Sequence, residues 1–188
     1  MSTVNDIAIR TPLAAVANGS NHIRVYQLAV DGSVREAQYE GAWTGGQPAN
    51  TIGTVRLNSP LAATNIGFSQ IRVYGIDNDS TIKELAYDAG SGWYKGGIDS
   101  QFKVAPYSGI AAAFVGNKPH VYAQLPDNTI QEYRWSGSSW QENDNLGEAL
   151  PGTSITATSW GGGSEDTASI RQVFRCSQPL LTPSLKSP

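Results

Sequence analysis

An all-β fold is what this sequence predicts, on three observations. Hydrophobic residues are 39% and charged residues only 15%, while eight Tyr, five Trp and twenty Gly suit short strands and tight turns. Clusters of Gly, Asp, Asn and Ser punctuate the chain, with "DG" at 31–32 and "DNDS" at 77–80 as hairpin signals. The chain also matches itself at a shift of 48 residues, and a fixed period speaks to architecture before any local propensity does.

The elements recur in order. A small-residue run comes first: "PLAAV" (12–16), "PLAAT" (60–64) and, more loosely, "GIAAAF" (109–114). Next come "IRVYQ" (23–27), "IRVYG" (71–75) and "HVYAQ" (120–124). The third run follows a turn: "DGSVREAQY" (31–39), "DSTIKELAY" (79–87) and "DNTIQEYRW" (127–135). A weaker fourth run follows the "GAW" or "SGW" turn. A fourth copy begins with "SITATSW" (154–160) and "SIRQVF" (169–174), after which "RCSQPLLTPSLKSP" has no hairpin, no Glu and no aromatic pair.

Four strands per 40–50 residues is the arithmetic of a β-propeller blade of antiparallel strands. A sandwich needs about 100 residues per copy, and solenoid coils are shorter or helical. The expected blades are 10–58, 59–107, 108–152 and a partial one at 153–174, with 175–188 as an irregular tail. One blade cannot bury both faces, so neighbouring copies must stack.

The formal charge is −3, with no run of like charges, so the electrostatic footprint of a nucleic-acid or anionic-membrane partner is missing. Cys176 is the only cysteine, so the fold rests on packing without an internal disulfide. The run "PLAAVA" (12–17) is too short for a signal core or a membrane span. A soluble protein is expected, cytoplasmic or released by a non-classical route.

Alternation in "IRVY" puts Arg and Tyr on one face and Ile and Val on the other. In the next strand Glu36 and Glu84 alternate with Arg35 and Lys83, which are expected to face solvent. Arg24 with Glu36 and Arg72 with Glu84 therefore form a recurring acid–base pair across two antiparallel strands. A lone pair of this kind is most simply a cross-strand ion pair. Its company argues for more: an aromatic residue three positions after the Glu (Tyr39, Tyr87, Trp135) and a turn tryptophan (Trp43, Trp93, Trp140), the latter not an obvious core position. A planar fork of donors, a set of acceptors and a flat apolar platform suit a neutral ligand with several hydroxyls and one C–H-rich face, which describes a sugar. Glycoside hydrolysis needs two carboxylates across the scissile bond, whereas each copy repeats one Glu opposite one Arg. His22 and His120 are isolated, without metal-ligand spacing, and no nucleophile elbow or phosphate loop occurs.

At "SPLAAT", "IRVY", "REAQY", "KELAYD", "SGWYKGG" and "GAWTGG", the sequence resembles the fungal fucose-specific lectins of the Aleuria aurantia type and their two-blade bacterial relatives, over about residues 10–174. The resemblance implies a six-bladed propeller that holds L-fucose between adjacent blades, without cofactor, metal or catalysis, and takes fucosylated glycans as partners. In that pattern the Arg and Glu bind the ring oxygen and hydroxyls, and two aromatics of the next blade receive the apolar face and methyl group. One site would join Arg24 and Glu36 to Tyr87 and Trp93, closed by backbone near Gly46. A second would join Arg72 and Glu84 to Trp135 and Trp140, near Gly97. In the third copy His120 replaces the arginine beside Glu132, so that site is expected to be weak or lost. Arg171, in the fourth copy, has no Glu partner. About three and a half blades cannot close a six-bladed ring, which implies a truncated or mis-spliced product or a homo-oligomer that completes the ring. The chief rival reading is a propeller scaffold for protein partners, with the Arg–Glu pairs as ties between blades.

Overall fold

The fold is a radial array of antiparallel sheets. The structure, a computed structural model, describes residues 6–19, 21–160 and 167–170. The expectations for Arg171, Cys176, the missing fourth hairpin and the tail at 175–188 lie outside the described residues. No helix among the described residues is long and apolar enough to cross a membrane.

The first sheet holds β1 (Leu13–Ala17), β2 (His22–Leu28), β3 (Ser33–Glu40), β4 (Trp43–Gly45) and β5 (Thr51–Thr54). The second holds β6 (Ala62–Ile66), β7 (Gln70–Ile76), β8 (Ile82–Asp88) and β9 (Gly92–Lys95). The third holds β10 (Ile110–Val115), β11 (Lys118–Gln124), β12 (Thr129–Trp135) and β13 (Trp140–Glu148). A two-stranded sheet, β14 (Ala157–Trp160) with β15 (Thr167–Ile170), follows. Strands are paired in chain order within each sheet, the meander of propeller blades, except that β3 of the first sheet carries two outer partners. There β4 pairs with Ala37–Tyr39 and β5 with Ser33–Arg35, separated by a 3-10 turn over Pro48–Asn50, so a single fourth strand is split in two.

The innermost strands β1, β6, β10 and β14 meet around a common channel, whose wall includes Ala15, Ala63, Ala112 and Ala157. Strands that converge on an axis leave room only for small side chains there, which accounts for the repeated "LAA" run.

The turn between second and third strands is built the same way three times. Asp31 Oδ1 accepts from the Ser33 amide and hydroxyl, Asp79 Oδ1 from those of Thr81, and Asp127 Oδ1 from those of Thr129, at 2.6–3.0 Å. The residue between them is left-handed, with φ of 83° at Gly32, 65° at Ser80 and 72° at Asn128. A short polar side chain bonded to the backbone two residues on is what holds such a turn. The turn then fixes the register of the strands it joins.

Apolar side chains pack between sheets, as stacking requires. Tyr26, Leu28 and Val34 of the first sheet meet Ile71, Val73 and Leu85 of the second. Tyr74, Ile76 and Ile82 of the second meet Val121, Ala123 and Tyr133 of the third. Two expectations change here. Arg35 does not face solvent but is buried at 4% exposure, because β5 pairs along it through Thr51. Lys83 is largely covered and lies 3.3 Å from Asp99 and 3.4 Å from Asp77.

Replacing Asp79 by Ala should lower stability, because it removes both turn hydrogen bonds to Thr81. A urea midpoint shift with an unchanged slope is the expected result.

Candidate functional site

Hairpin register sets Tyr26 opposite Glu36, Tyr74 opposite Glu84 and Tyr122 opposite Glu132. Each hydroxyl donates to its carboxylate, at 3.0, 2.9 and 2.7 Å. Burial, then the neighbouring carboxylate, pushes the Tyr26 and Tyr74 hydroxyls far above their usual range, so they stay protonated donors. These tyrosines are missing from the sequence-based site. A signal for them exists, since Tyr and Glu are ten residues apart in every copy.

Glu84 is 2% exposed, and burial drives its carboxyl upward against the Ile98 amide, the Tyr74 hydroxyl and the Arg72 charge, which pull the other way. The Ile98 N–H donates to Oε2 at 3.1 Å. Gly96 makes room for this carboxylate: a Cβ there would lie 2.1 Å from Oε2 and 2.2 Å from Cγ.

Arg72 is held within its own sheet. Its Nη1 donates to the Tyr87 carbonyl at 2.7 Å and the Ile71 carbonyl at 2.9 Å, and its Nη2 lies 3.0 Å from Asp88 Oδ1. Its Nε stands 3.7 Å from Glu84 Oε1. Arg24 is held differently. Its Nη1 lies 2.5 Å from Glu40 Oε1, and its guanidinium carbon stands 4.7 Å from the centre of the Phe68 ring of the next sheet. The expected ion pair between Arg24 and Glu36 is therefore replaced by one with Glu40, while Gln38 donates to Glu36 Oε1 at 2.6 Å.

The aromatic half comes from the following sheet. Trp93 meets the Tyr26 ring edge-on at 5.8 Å and lies 5.5 Å from Tyr87. Trp140 repeats this on Tyr74 at 6.2 Å and lies 6.0 Å from Trp135. The turn tryptophan is thus no surface feature in the third copy: Trp140 is 6% exposed and belongs to the core it closes.

Two clefts result. The first, about 170 Å³, brings Arg24 and Glu36 to Tyr87 and Trp93, with Gln38, Phe68 and Ile71. The second, about 290 Å³, brings Arg72 and Glu84 to Trp135 and Trp140, with Gly97 among its lining residues. Gly46 does not line the first. Its N–H donates to the Glu36 carbonyl at 2.7 Å, as that of Gly96 does to Glu84 at 3.0 Å, so Gly46 corresponds to Gly96 and not to Gly97.

The third copy keeps the frame and fills it. Glu132 Oε1 accepts from Tyr122 and sits 2.8 Å from His120 Nδ1, and its Oε2 accepts from Asn143. Burial would raise this carboxyl, yet the bonds from His120, Asn143 and Tyr122 outweigh it and hold the pKa at about 2. At the other end Tyr39 and Trp43 stand 5.3 Å apart, with Trp43 58% exposed.

These features define a β-propeller segment with polar–aromatic clefts between consecutive blades. The sequence matches the fungal fucose-specific lectin family over residues 7–182, and the chain belongs to that family. It is 49% identical over 167 residues to the fucose-specific lectin of Aspergillus fumigatus, covering 85% of this chain and 53% of that protein. It spans about half the length of the curated relatives it matches. Among solved structures it is similar to the SapL1 lectin in complex with α-methyl fucoside, at 46% identity and a TM-score of 0.84, over 91% of this chain and 58% of that one. The Aleuria aurantia lectin, described as a six-bladed β-propeller, aligns at 27% identity and a TM-score of 0.53, over 89% and 73%.

Two outcomes follow from this geometry. Gly96→Ala should displace the Glu84 carboxylate and lower the urea midpoint, because a Cβ there overlaps that side chain. Glu132 has a folded pKa below its unfolded value of about 4.5, so its stabilisation is complete above pH 4.5 and is lost as pH falls toward 2. The turn aspartates Asp31, Asp79 and Asp127 are also lowered, so Glu132→Gln should reduce the acid loss of stability without removing it, as read from urea midpoints between pH 2 and 5.

Proposed function

We propose that this chain is a non-enzymatic carbohydrate-binding protein that takes L-fucose and fucosylated glycans in its inter-blade clefts. One observation carries the reading: Arg and Glu from one sheet meet two aromatics from the next, in two clefts related by the 48-residue repeat. Arg24 or Arg72 supplies donors, Glu36 or Glu84 supplies acceptors, and Tyr87 with Trp93 or Trp135 with Trp140 supplies a flat apolar wall. The SapL1 neighbour was solved with a fucoside, which supports the choice of sugar.

The scaffold reading needs the arginines to tie blades together. Among the described residues, the hydrogen bonds and ion pairs of Arg24, Arg72 and His120 stay within their own sheets. Arg24 also touches the next sheet, through the Phe68 ring, but hydrogen-bonded ties between blades are not what these side chains supply.

The same reading extends to assembly. Tyr39 and Trp43 form an aromatic pair like that of each cleft, on the first sheet, with Tyr39 half-buried and Trp43 exposed. The polar half of a further blade against that face would complete another site, and a second copy of the chain is the partner we assign to it. Several weak sites on one rigid body gain avidity on clustered glycans.

Titration with L-fucose should change tryptophan fluorescence at millimolar sugar or below, while galactose and mannose should not. Arg72→Ala should remove one site and leave the circular dichroism unchanged. A folded protein that gives no fucose response sinks the reading, and a solution mass of one chain sinks its assembly part.

A further inference from the structure

The two clefts share a frame but not a rim. Position 38 in the first copy is Gln and its counterpart at 86 is Ala, both lining their clefts. Gln38 projects an amide onto Glu36 at 2.6 Å, whereas Ala86 leaves that space open. Phe68 covers Arg24 from the neighbouring sheet, and its counterpart 48 residues on is Gly116, in a two-residue turn that replaces a three-residue one. The second cleft is accordingly the larger, at about 290 against 170 Å³.

The extra space has its own chemistry. Gln70 and Asn117 bring amides to it and Tyr94 an aromatic ring, beside Arg72. Among the described residues the Asn117 side chain has no hydrogen-bond partner, so its donors and acceptor are available to the cleft it lines. An aromatic face flanked by amides is again a receptor for a polyhydroxylated ring.

We propose that the second cleft binds a fucosyl disaccharide, the fucose on Arg72 and Glu84 and the adjoining pyranose in the annex of Gln70, Tyr94 and Asn117, whereas Gln38 and Phe68 restrict the first cleft to a terminal fucose alone. The proposal rests on the fucose reading above and assigns which sugar each cleft prefers. Gln38 and Ala86 are the specificity-determining positions.

The test is calorimetric titration with methyl α-L-fucoside and with α-L-fucosyl-(1→6)-N-acetylglucosamine, on protein shown by circular dichroism to be folded. With only the second cleft intact, in Arg24→Ala, the disaccharide should bind at least about fivefold tighter than the monosaccharide, the effect of one or two net hydrogen bonds. With only the first intact, in Arg72→Ala, the ratio should be about one. Adding Gln38→Ala to Arg72→Ala should raise the ratio, and adding Ala86→Gln to Arg24→Ala should bring it to about one. If an arginine variant loses its fold, Gln38→Ala and Ala86→Gln in the unchanged chain should move the overall ratio up and down respectively. Equal ratios at the two clefts, or a higher one at the first, overturn the proposal and leave the fucose reading standing. No binding of the monosaccharide by any folded variant overturns both.

Discussion

The hydrogen bond from a buried tyrosine to a buried glutamate, repeated in each complete sheet, is the interaction on which the rest of the structure depends. Burying a carboxylate is costly unless its lone pairs are satisfied. The tyrosine satisfies one, and in the second sheet a backbone amide satisfies another. Only one register of the hairpin puts the two side chains opposite each other, and a slip of one residue would put Arg and Tyr on one face and Glu on the other. The Asp-based turn and the Tyr–Glu bond therefore specify the same register by independent means.

The tyrosine ring has a second task. Its edge contact with the tryptophan of the next sheet makes the packing of consecutive sheets rest on the residue that orients the acid. Cleft wall and hydrophobic core are thus one set of side chains at Trp140, and nearly so at Trp93. The middle sheet gives its polar face to one cleft and its aromatic pair, Tyr87 and Trp93, to the other. A site of this kind cannot belong to one repeat, since each of its halves is formed where two repeats meet.

This division explains what the sequence disclosed. Periodicity exposes whatever recurs, so the all-β repeat, the Arg, Glu and aromatic positions and the departure of the third copy at His120 were legible. Side chains whose role depends on a neighbouring strand were not. Arg35 reads as a solvent-facing residue because alternation alone cannot know that Thr51–Thr54 will return to pair beside it. Trp140 reads as a turn residue because its burial against Tyr74 is a contact between sheets. Gly46 and Gly97 match as letters in two Gly-Gly pairs, yet hydrogen bonding aligns Gly46 with Gly96, since the two turns differ in length. Glu40 as the partner of Arg24 is likewise invisible, since two acceptors on one strand compete and only geometry decides.

The third copy separates holding a shape from binding a ligand. His120, Tyr122 and Asn143 occupy both oxygens of Glu132, so the acid is well satisfied and its pKa falls to about 2. Glu84, with an arginine at 3.7 Å instead of a close histidine, is left with a carboxyl pushed upward by burial. Both oxygens of Glu84 are bonded as well, to the Tyr74 hydroxyl and the Ile98 amide, so the copies differ chiefly in the cation. His120 sits 2.8 Å from its acid, whereas Arg72 stands 3.7 Å from its own and lines the open cleft. Where Arg is replaced by His in this frame, a guanidinium that lines a cleft gives way to an imidazole bonded to the acid. The identical positions keep the blades together, and the unlike ones set the volume and the polar lining of each cleft.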